Sequence, residues 1–247
     1  MSKLCTLWQR EIAAYFLSPI AYLVMVSFLV LNGVGFWMLV MAFDGRTNDV
    51  SVMQIFFGSF FYWIGMLMAV PVITMRLFAE EKRLGTIETL MTAPVSDVVV
   101  VWSKFLGAAT FFALLWLPTL SYSWLLNQFA AAPTPIDWGP VVMAYIGTML
   151  VGFFYVSLGL MASSLTQNQI IAAIIGFVLI AIMFFLGFMI NIGPAWLQSF
   201  FGYIGSIDHV RDFSRGQLDL RRVILYISAT VFVLFCTQKI VESRKWR

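Results

Sequence analysis

The chain has 247 residues, of which 61% are hydrophobic and only 11% are charged. Soluble domains are about 45–50% apolar and about 25% charged, so these values exclude a soluble enzyme and predict an all-α integral membrane protein. A membrane span needs about 20 apolar residues, and the length therefore allows about six spans in one membrane domain, residues 1–247. The net charge of +3 does not indicate nucleic acid binding, because the cations are scattered at the ends of apolar runs.

The first predicted element is an interfacial helix over residues 2–17. Its apolar residues recur at helical spacing, as in helices that lie in a membrane surface. They are Leu4, Trp8, Ile12, Tyr15 and Phe16, with Lys3, Arg10 and Glu11 on other faces. Ser18 and Pro19 are expected to end the helix. No small-residue cleavage site follows the first apolar run, so the first span is expected to be retained.

Six apolar runs follow this helix. The predicted spans are 20–43, 52–75, 101–126, 140–163, 170–190 and 223–240. Pro71 is expected to kink the second span and Pro118 to interrupt the third. The hinge SSLTQNQ is very short, so the fourth and fifth spans are predicted to form a tight antiparallel hairpin.

The segment 191–222, before the last span, is too broken for a span and too aromatic for an ordinary solvated loop. It contains Pro194, Trp196, Phe200, Phe201 and Tyr203 together with several glycines. We interpret it as one or two short re-entrant or interfacial helices at the outer surface. The alternative is a surface loop anchored by its aromatic side chains.

The positions of the lysines and arginines predict the orientation of the spans. With both termini inside, the cytoplasmic side holds ten of them: Lys3, Arg10, Arg76, Lys82, Arg83, Lys104, Lys239, Arg244, Lys245 and Arg247. The outer side holds five: Arg46, Arg211, Arg215, Arg221 and Arg222. This imbalance favours cytoplasmic N- and C-termini. If the segment 191–222 crossed the membrane, the C-terminus would instead lie outside.

The predicted spans lack the groups that membrane enzymes and ion-coupled transporters need. Three of them, 52–75, 140–163 and 170–190, contain no Asp, Glu, Lys, Arg or His. Proton relays and sodium-coupled transporters place such residues at membrane depth. The single histidine, His209, stands among Asp208, Arg211 and Asp212, where we expect a solvated loop cluster rather than a catalytic or metal site.

No phosphate-binding loop of the form GxxxxGK[ST] occurs in the sequence. The chain is therefore not expected to be an enzyme or to bind a cofactor, and ATP-driven transport would need a separate ATPase subunit. Energy would then enter through the long charged interval 76–104. There, a short helix is predicted over residues 80–91, with Leu84, Ile87 and Met91 on one face and the charges on the others.

Pro94 is expected to stop this helix, and Ser96 or Asp97 to cap the next one. The result is a short surface helix joined rigidly to the second and third spans. On this pattern alone, a solvated hairpin without any partner is an equally good interpretation.

The sequence EEKRLGTIETLMTAPVSD resembles the first cytoplasmic loop of type-2 ABC transporter permeases. It is most similar to the branch that includes the gliding-motility-associated and the nitrous-oxide-reductase-maturation permeases. The matching residues are Glu80, Glu81, Gly85, Thr86, Glu88, Leu90, Met91, Pro94, Val95 and Ser96. Met91 replaces the more usual leucine.

A second stretch, HVRDFSRGQLDLRRVILY, is similar to the pattern that the same permeases carry just before their last span. His209, Phe213, Gly216, Asp219 and Tyr226 fit that pattern. The N-terminal helix followed by Ser18 and Pro19 fits as well, so the resemblance covers the whole chain.

The resemblance implies an exporter half in a bacterial inner membrane, with a coupling helix in the cytoplasmic loop 78–97. A second permease subunit, identical or different, would pair with it, and two ATPase subunits carrying ATP and Mg would dock beneath the pair. The coupling residues would be Glu80, Glu81, Lys82, Arg83, Gly85, Thr86, Glu88, Leu90, Pro94 and Ser96. From the periodicity we expect the charged face to contact the ATPase and Leu84, Ile87 and Met91 to face the permease.

Two alternatives remain at this point. The chain could be a non-transporting membrane subunit of a force-relay or envelope machine, as in gliding, working with an auxiliary envelope protein. An intramembrane enzyme that uses His209 is a weaker possibility. The uncharged, aromatic interior is compatible with lipid-linked or amphipathic cargo, but the same residues face lipid in any membrane protein.

Overall fold

The computed structural model describes residues 3–43, 51–86, 96–129, 137–187 and 202–243. Within these ranges every regular element is a helix. The α-helices are α1 (Lys3–Phe16), α2 (Pro19–Phe43), α3 (Val52–Gly58), α4 (Phe60–Thr74), α5 (Arg76–Arg83), α6 (Asp97–Trp116), α7 (Ser121–Phe129), α8 (Trp138–Leu165), α9 (Gln169–Leu186), α10 (Ser206–Ser214) and α11 (Leu220–Glu242). Six stretches in this part of the chain are long and apolar enough to cross a membrane, which confirms the predicted all-α membrane fold.

The hairpin between the fourth and fifth spans forms as predicted. Only residues 166–168 separate α8 from α9. Asn168 caps α9 with its side-chain oxygen, which accepts hydrogen bonds from the backbone N–H groups of Ile170 at 2.9 Å and Ile171 at 3.4 Å. The turn therefore brings the two spans together along their length.

The third span is interrupted at Pro118, again as predicted. A 3₁₀ turn at Leu117–Leu120 separates α6 from α7. The hydroxyl of Thr119 donates to the carbonyl of Trp116 at 2.7 Å and lies 2.7 Å from the hydroxyl of Tyr145 on α8. These hydrogen bonds pair polar groups within the 3₁₀ turn and connect the turn to α8.

The second span lies further along the chain than the predicted 52–75. Ser59 has an extended backbone (φ −74°, ψ 156°) that ends α3, and its side chain accepts from the N–H of Tyr62 to begin α4. The stretch that can cross a membrane is therefore Phe60–Arg83, with α3 as a separate short helix before it. Because of this shift, the charged residues 80–83 form the end of the span itself.

Helix α8 is the centre of the bundle. It packs against α4, α5, α6, α9, α10 and α11. Its buried face carries polar side chains that pair with neighbours: Thr148 lies 3.1 Å from the Tyr62 hydroxyl, and Tyr155 donates to Ser206 at 3.0 Å. Such pairs satisfy polar groups that would otherwise be costly in an apolar bundle and fix the neighbouring helices against α8.

Helix α1 packs along α6 with part of the apolar stripe expected from the sequence, since Tyr15 stacks on Phe111 and Trp8 bonds to Thr110, but Glu11 also lies on the packed face. Its two buried residues are Glu11 and Tyr15, and Phe16 is 38% exposed. The expectation that Glu11 lies off the packed face was wrong, because α6 presents a buried cation, Lys104, opposite Glu11.

In the segment 191–222 the structure describes residues 202 onward, and the short helix α10 lies there. Pro194, Trp196, Phe200 and Phe201 lie outside the described residues. The expectation of a solvated cluster was wrong for His209, which is 1% exposed because α10 packs against α3 and α8, whereas Asp208 and Arg211 beside it are in solvent.

Candidate functional site at the charged end of the bundle

Helix α5 continues the second span into the charged residues. Met75 keeps helical backbone angles (φ −54°, ψ −33°), and its N–H donates to the carbonyl of Pro71 at 2.9 Å. The helix begins at Arg76, before the predicted start at Glu80, and ends at Arg83. The charged segment therefore extends a membrane span, and α5 stays packed against the bundle until its last residue.

The dipeptide Gly85 and Thr86 ends α5. Gly85 has a left-handed backbone (φ +70°), and its N–H donates to the Lys82 carbonyl at 3.4 Å. The Thr86 hydroxyl donates to the Glu81 carbonyl at 3.4 Å, which covers another carbonyl of the last turn. Glycine adopts this conformation without steric cost, so the sequence motif Gly-Thr has a direct capping role.

Four side chains from three helices form a closed ring of alternating charge. We call this set the charge ring: Arg10, Glu11, Glu81 and Lys104. Lys104 Nζ lies 3.1 Å from Glu11 Oε1 and 2.7 Å from Glu81 Oε1. Arg10 Nη2 closes the ring at 3.0 Å from Glu11 Oε1 and 3.3 Å from Glu81 Oε1.

The two cations of the charge ring differ in exposure. The Lys104 side chain is 2% exposed, whereas the Arg10 side chain is 52% exposed. Lys104 therefore holds the two carboxylates from inside the protein and Arg10 from the solvent side. A buried ammonium is costly without opposite charges, and the ring provides two carboxylates for it.

Close approach of α1 to α6 makes the ring possible. A Cβ atom at Gly107 would lie 2.7 Å from the Cβ of Glu11, so a larger residue would push α1 away. The ammonium of Lys104 also lies 5.3 Å from the centre of the Phe78 ring, a cation–π distance. Trp8 adds a further link when its indole N–H donates to the Thr110 hydroxyl at 3.1 Å.

A second attachment joins the C-terminal end of α1 to the junction of α4 and α5. Tyr15 donates its hydroxyl proton to the Ile73 carbonyl at 2.9 Å, and burial raises the pKa of Tyr15, which keeps the phenol neutral. Arg76 donates to Ser18 Oγ at 2.6 Å and to the Ala14 carbonyl at 2.9 Å, and its guanidinium lies 4.9 Å from the centre of the Tyr15 ring.

The opposite side of α5 is attached to the end of α8. Lys82, which is 7% exposed, donates to the carbonyl of Ser164 in the last turn of α8. A cation is favourable at a helix C-terminus. The Ser163 hydroxyl accepts from the N–H groups of Phe78 at 3.0 Å and Ala79 at 3.1 Å, and donates to the Met75 carbonyl at 2.9 Å.

The residues that project from the bundle are 83–86, which we call the tip. All four are exposed, and Leu84 is 62% exposed. The expectation that Leu84 faces the permease was therefore wrong, and Glu81 and Lys82, assigned to the outer charged face, contact α6 and α8 instead. The reason is that α5 lies between those two helices and turns its charges toward their polar groups.

The remaining predicted coupling residues are distributed differently. Glu80 is half-buried on α5, and Ser96 is at the N-cap position of α6, where its side chain makes no capping hydrogen bond. Glu88, Leu90 and Pro94 lie outside the described residues, as do Ile87 and Met91.

Sequence reasoning missed Glu11 and Lys104 as members of a site. A signal was present for each of them. Glu11 continues the helical spacing of Leu4, Trp8 and Tyr15, so it lies on the packed face of α1. Lys104 lies inside α6 between apolar residues, where an ionised side chain requires a partner.

The second motif gathers at the opposite end of the bundle. His209 Nδ1 lies 2.8 Å from the Tyr226 hydroxyl, and Phe213 is fully buried. Gly216 (φ +79°) ends α10 with bonds from its own N–H to the Phe213 carbonyl at 2.9 Å and from Gln217 N–H to the Asp212 carbonyl at 3.1 Å. Asp219 caps α11 by accepting from the Arg221 N–H at 2.9 Å.

These contacts give each residue of the second motif a structural role. Burial, followed by the charge of Arg222, lowers the pKa of His209 to about 4. The imidazole is therefore neutral near pH 7 and acts as a hydrogen-bonding group. The described residues contain no cluster of three or more groups that could hold a metal ion.

A comparison with known protein families agrees with this architecture. The family model described as "ABC-2 family transporter protein" matches residues 16–245. No curated protein matches the chain. The family match spans all six candidate spans, the charge ring residues Glu81 and Lys104, and the second motif. The chain therefore belongs to the ABC-2 family of transporter proteins, as a membrane component of an ABC transporter.

Proposed function

We propose that this chain is the permease subunit of an ATP-driven exporter, and that the tip of α5 is where a separate ATPase subunit docks. The observation that carries the proposal is the set of polar contacts that joins the end of α5, directly before the exposed tip, to three neighbouring helices. Glu81 links α5 to α1 and α6, and Lys82 links it to α8. Movement of the tip is thereby communicated to most of the bundle.

The tip has the composition of a small docking surface. Leu84 supplies exposed apolar area and Arg83 a charge, while a Cβ at Gly85 would meet no atom within 4 Å. Arginine is enriched among the residues that dominate binding energy at interfaces, and the exposed leucine beside it adds apolar contact area. We infer that Arg83, Leu84 and Thr86 contact the ATPase, with Glu80 at the edge.

The proposed assembly follows that of the resembling permeases. Two ATPase subunits would bind ATP and Mg, and a second permease subunit, identical or different, would pair with this one. The assembly would lie in a bacterial inner membrane with both termini in the cytoplasm, where ATP is available to subunits docked at the tip. The gliding-motility and nitrous-oxide-reductase-maturation branch stays our proposal for the subfamily.

A force-relay function is the second candidate. One observation favours it: a groove of about 350 Å³ on the described surface is open and lined only by aliphatic, methionine and aromatic side chains between Leu120 and Phe153. An export path for a polar cargo would then have to form between two permease subunits. An auxiliary envelope protein would be a partner in the force-relay case.

The test starts with affinity purification of the chain from its native membranes and identification of the bound ATPase. The purified complex is then reconstituted in lipid nanodiscs, and ATP hydrolysis is measured. Leu84→Asp should reduce ATPase recovery at least tenfold, because it places a charge in the apolar contact. The matched control is Leu218→Asp, an exposed leucine (48%) at the opposite end of the bundle, which should leave recovery unchanged.

Equal ATPase recovery with Leu84→Asp and the unmodified chain would reject the tip as the docking surface. Recovery of no ATPase at all would reject the proposed function. Export and force relay are distinguished with the same complex in sealed proteoliposomes, where movement of lipid-linked or amphipathic material into the opposite leaflet or the lumen supports export. ATP hydrolysis that depends on an envelope protein, without such movement, supports force relay.

A further inference from the structure

We propose that Lys104 is a positioning residue that makes the N-terminal half of α1 move together with the tip of α5. This inference rests on the proposed function, because it assumes that an ATPase displaces the tip. The two carboxylates that share the Lys104 ammonium lie on different elements, Glu11 on α1 and Glu81 on α5.

The position of the charge ring relative to the other attachment of α1 supports this role. The contacts of Tyr15 with Ile73 and of Arg76 with Ala14 hold the C-terminal end of α1 at the α4–α5 junction. Glu81 is five residues beyond Arg76, which is about 7.5 Å along a helix at about 1.5 Å per residue. Helix α1 is thus attached to α5 at two separated points.

If α1 were attached to α5 and its junction with α4 at one point only, it could pivot relative to α5, whereas two attachments make the two helices rotate together. The junction contacts hold α1 at Ala14 and Tyr15, and Trp8 holds it to α6, but none of these contacts links the turn that contains Glu11 to the end of α5. With the charge ring intact, displacement of Glu81 also displaces Glu11 and Arg10. Loss of Lys104 removes the inner attachment while every junction contact remains.

The charge balance of the ring explains why Lys104, rather than Arg10, carries this role. Arg10 is half exposed and belongs to α1 itself, so water can replace its contacts. Without Lys104, the carboxylates of Glu11 and Glu81, 10% and 20% exposed, would face each other with only Arg10 between them. They would repel, and the two helices would separate at this point.

The experiment measures the motion of α1 directly in the complex with its copurified ATPase, in lipid nanodiscs. A nitroxide is attached at Gln9→Cys, an exposed position on α1, after Cys5→Ser and Cys236→Ser. Its spectrum is compared without nucleotide and with ATP plus vanadate. We expect a nucleotide-dependent change in label mobility that Lys104→Met abolishes and Lys104→Arg retains.

Two controls separate positioning from folding. Lys239→Met removes an exposed ion pair with Glu242 and should leave the spectral response unchanged. Arg10→Gln combined with Glu11→Gln removes both α1 side chains from the charge ring but leaves Lys104 paired with Glu81 and the junction contacts in place. It should therefore abolish the response even where Lys104→Met fails to fold. A label at Ile170→Cys, 70% exposed at the start of α9, reports on the rest of the bundle.

The outcomes distinguish this inference from the proposed function. A complex whose ATPase is stimulated by the permease, but whose position 9 label does not respond to nucleotide, overturns the role of Lys104 alone. An unchanged response in Arg10→Gln/Glu11→Gln does the same. Failure to recover any ATPase rejects the proposed function.

Discussion

The two ends of this bundle are held by polar residues of different kinds. At the charged end, two cations and two carboxylates from three helices form a ring, and residues 83–86 project beyond it. At the opposite end, a neutral histidine pairs with a tyrosine, and an aspartate and a glycine cap the adjoining helices. Both ends carry a motif that resembles the same permeases, and both leave part of it exposed, residues 83–86 at one end and residues 215–221 at the other. The two ends differ in what their motif residues contact.

This difference separates motif residues that fold the chain from motif residues that are free to bind a partner. His209 and Phe213 are buried within the bundle, and Gly216 and Asp219 are used in helix ends. These packing and capping roles account for the four residues without a ligand. The tip carries Leu84, which is 62% exposed, and an exposed Arg83, and we propose that an ATPase uses them.

The largest expected effect comes from breaking the charge ring. Lys104→Met should lower the free energy of unfolding by about 3–5 kcal/mol, because two partly buried carboxylates lose their shared cation. The measurement is the thermal midpoint of the purified chain in detergent. Lys239→Met, which affects an exposed ion pair, should cost less than about 1 kcal/mol. Equal shifts of the thermal midpoint in the two variants would show that the buried ion pairs of the ring stabilise the fold no more than an exposed ion pair does.

At the opposite end, His209→Ala should cost about 1–3 kcal/mol, because the buried Tyr226 hydroxyl loses its hydrogen bond to the imidazole. The same melting experiment measures it. ATP hydrolysis per folded complex should stay within twofold of the unmodified value. A selective loss of hydrolysis in correctly folded His209→Ala protein would instead place a functional group at this end.

The pH dependence of stability should also originate at the opposite end. The unfolded chain binds a proton at His209 below about pH 6.5, whereas in the folded chain the pKa of His209 is about 4. Between these values unfolding takes up a proton, so stability falls as the pH decreases through this window and is fully present above it. The melting temperature of His209→Gln should decline less between pH 7 and pH 5. Parallel curves for the two proteins would exclude His209 as the origin.

The smallest expected change in stability comes from replacing a glycine by alanine, and the same substitution can be made at both ends of the bundle. Gly85 and Gly216 have left-handed backbones, with φ of +70° and +79°. Alanine at either position should therefore cost about 1 kcal/mol. Only Gly85→Ala should also change the stimulation of ATP hydrolysis by the permease, because it alters the tip. Equal hydrolysis by both variants would weaken the distinction between the ends.

Much of the fold was accessible from the sequence because long apolar runs, prolines and short polar hinges have local causes. The six spans, the interruption at Pro118 and the hairpin before α9 followed from such signals. The break at Ser59 did not, since a single serine in an apolar run carries little pattern. The hydrogen bond that its side chain accepts from the Tyr62 N–H is seen only in the structure. As a consequence, residues 80–83, which the sequence places in a separate surface helix, form the end of the second span.

The charge ring depended on tertiary contacts that spacing alone does not reveal. Glu11 was grouped with the polar residues of α1, although its spacing from Trp8 and Tyr15 places it on the packed face. Lys104 was read as an orientation signal at the edge of a span. Glu11 and Lys104 can meet because Gly107 allows α1 to approach α6 closely. Neither residue by itself indicates that the two helices come together.

The hydroxyl of Ser163 on α8 bonds to three backbone groups at the junction between α4 and α5, the N–H groups of Phe78 and Ala79 and the carbonyl of Met75. The stability of that junction therefore depends on α8 as well as on the second span. A change at position 163 could alter how readily residues 76–83 swing without touching any of them. Variants that tune the response of this permease should accordingly be sought on α8 as well as in the charged segment.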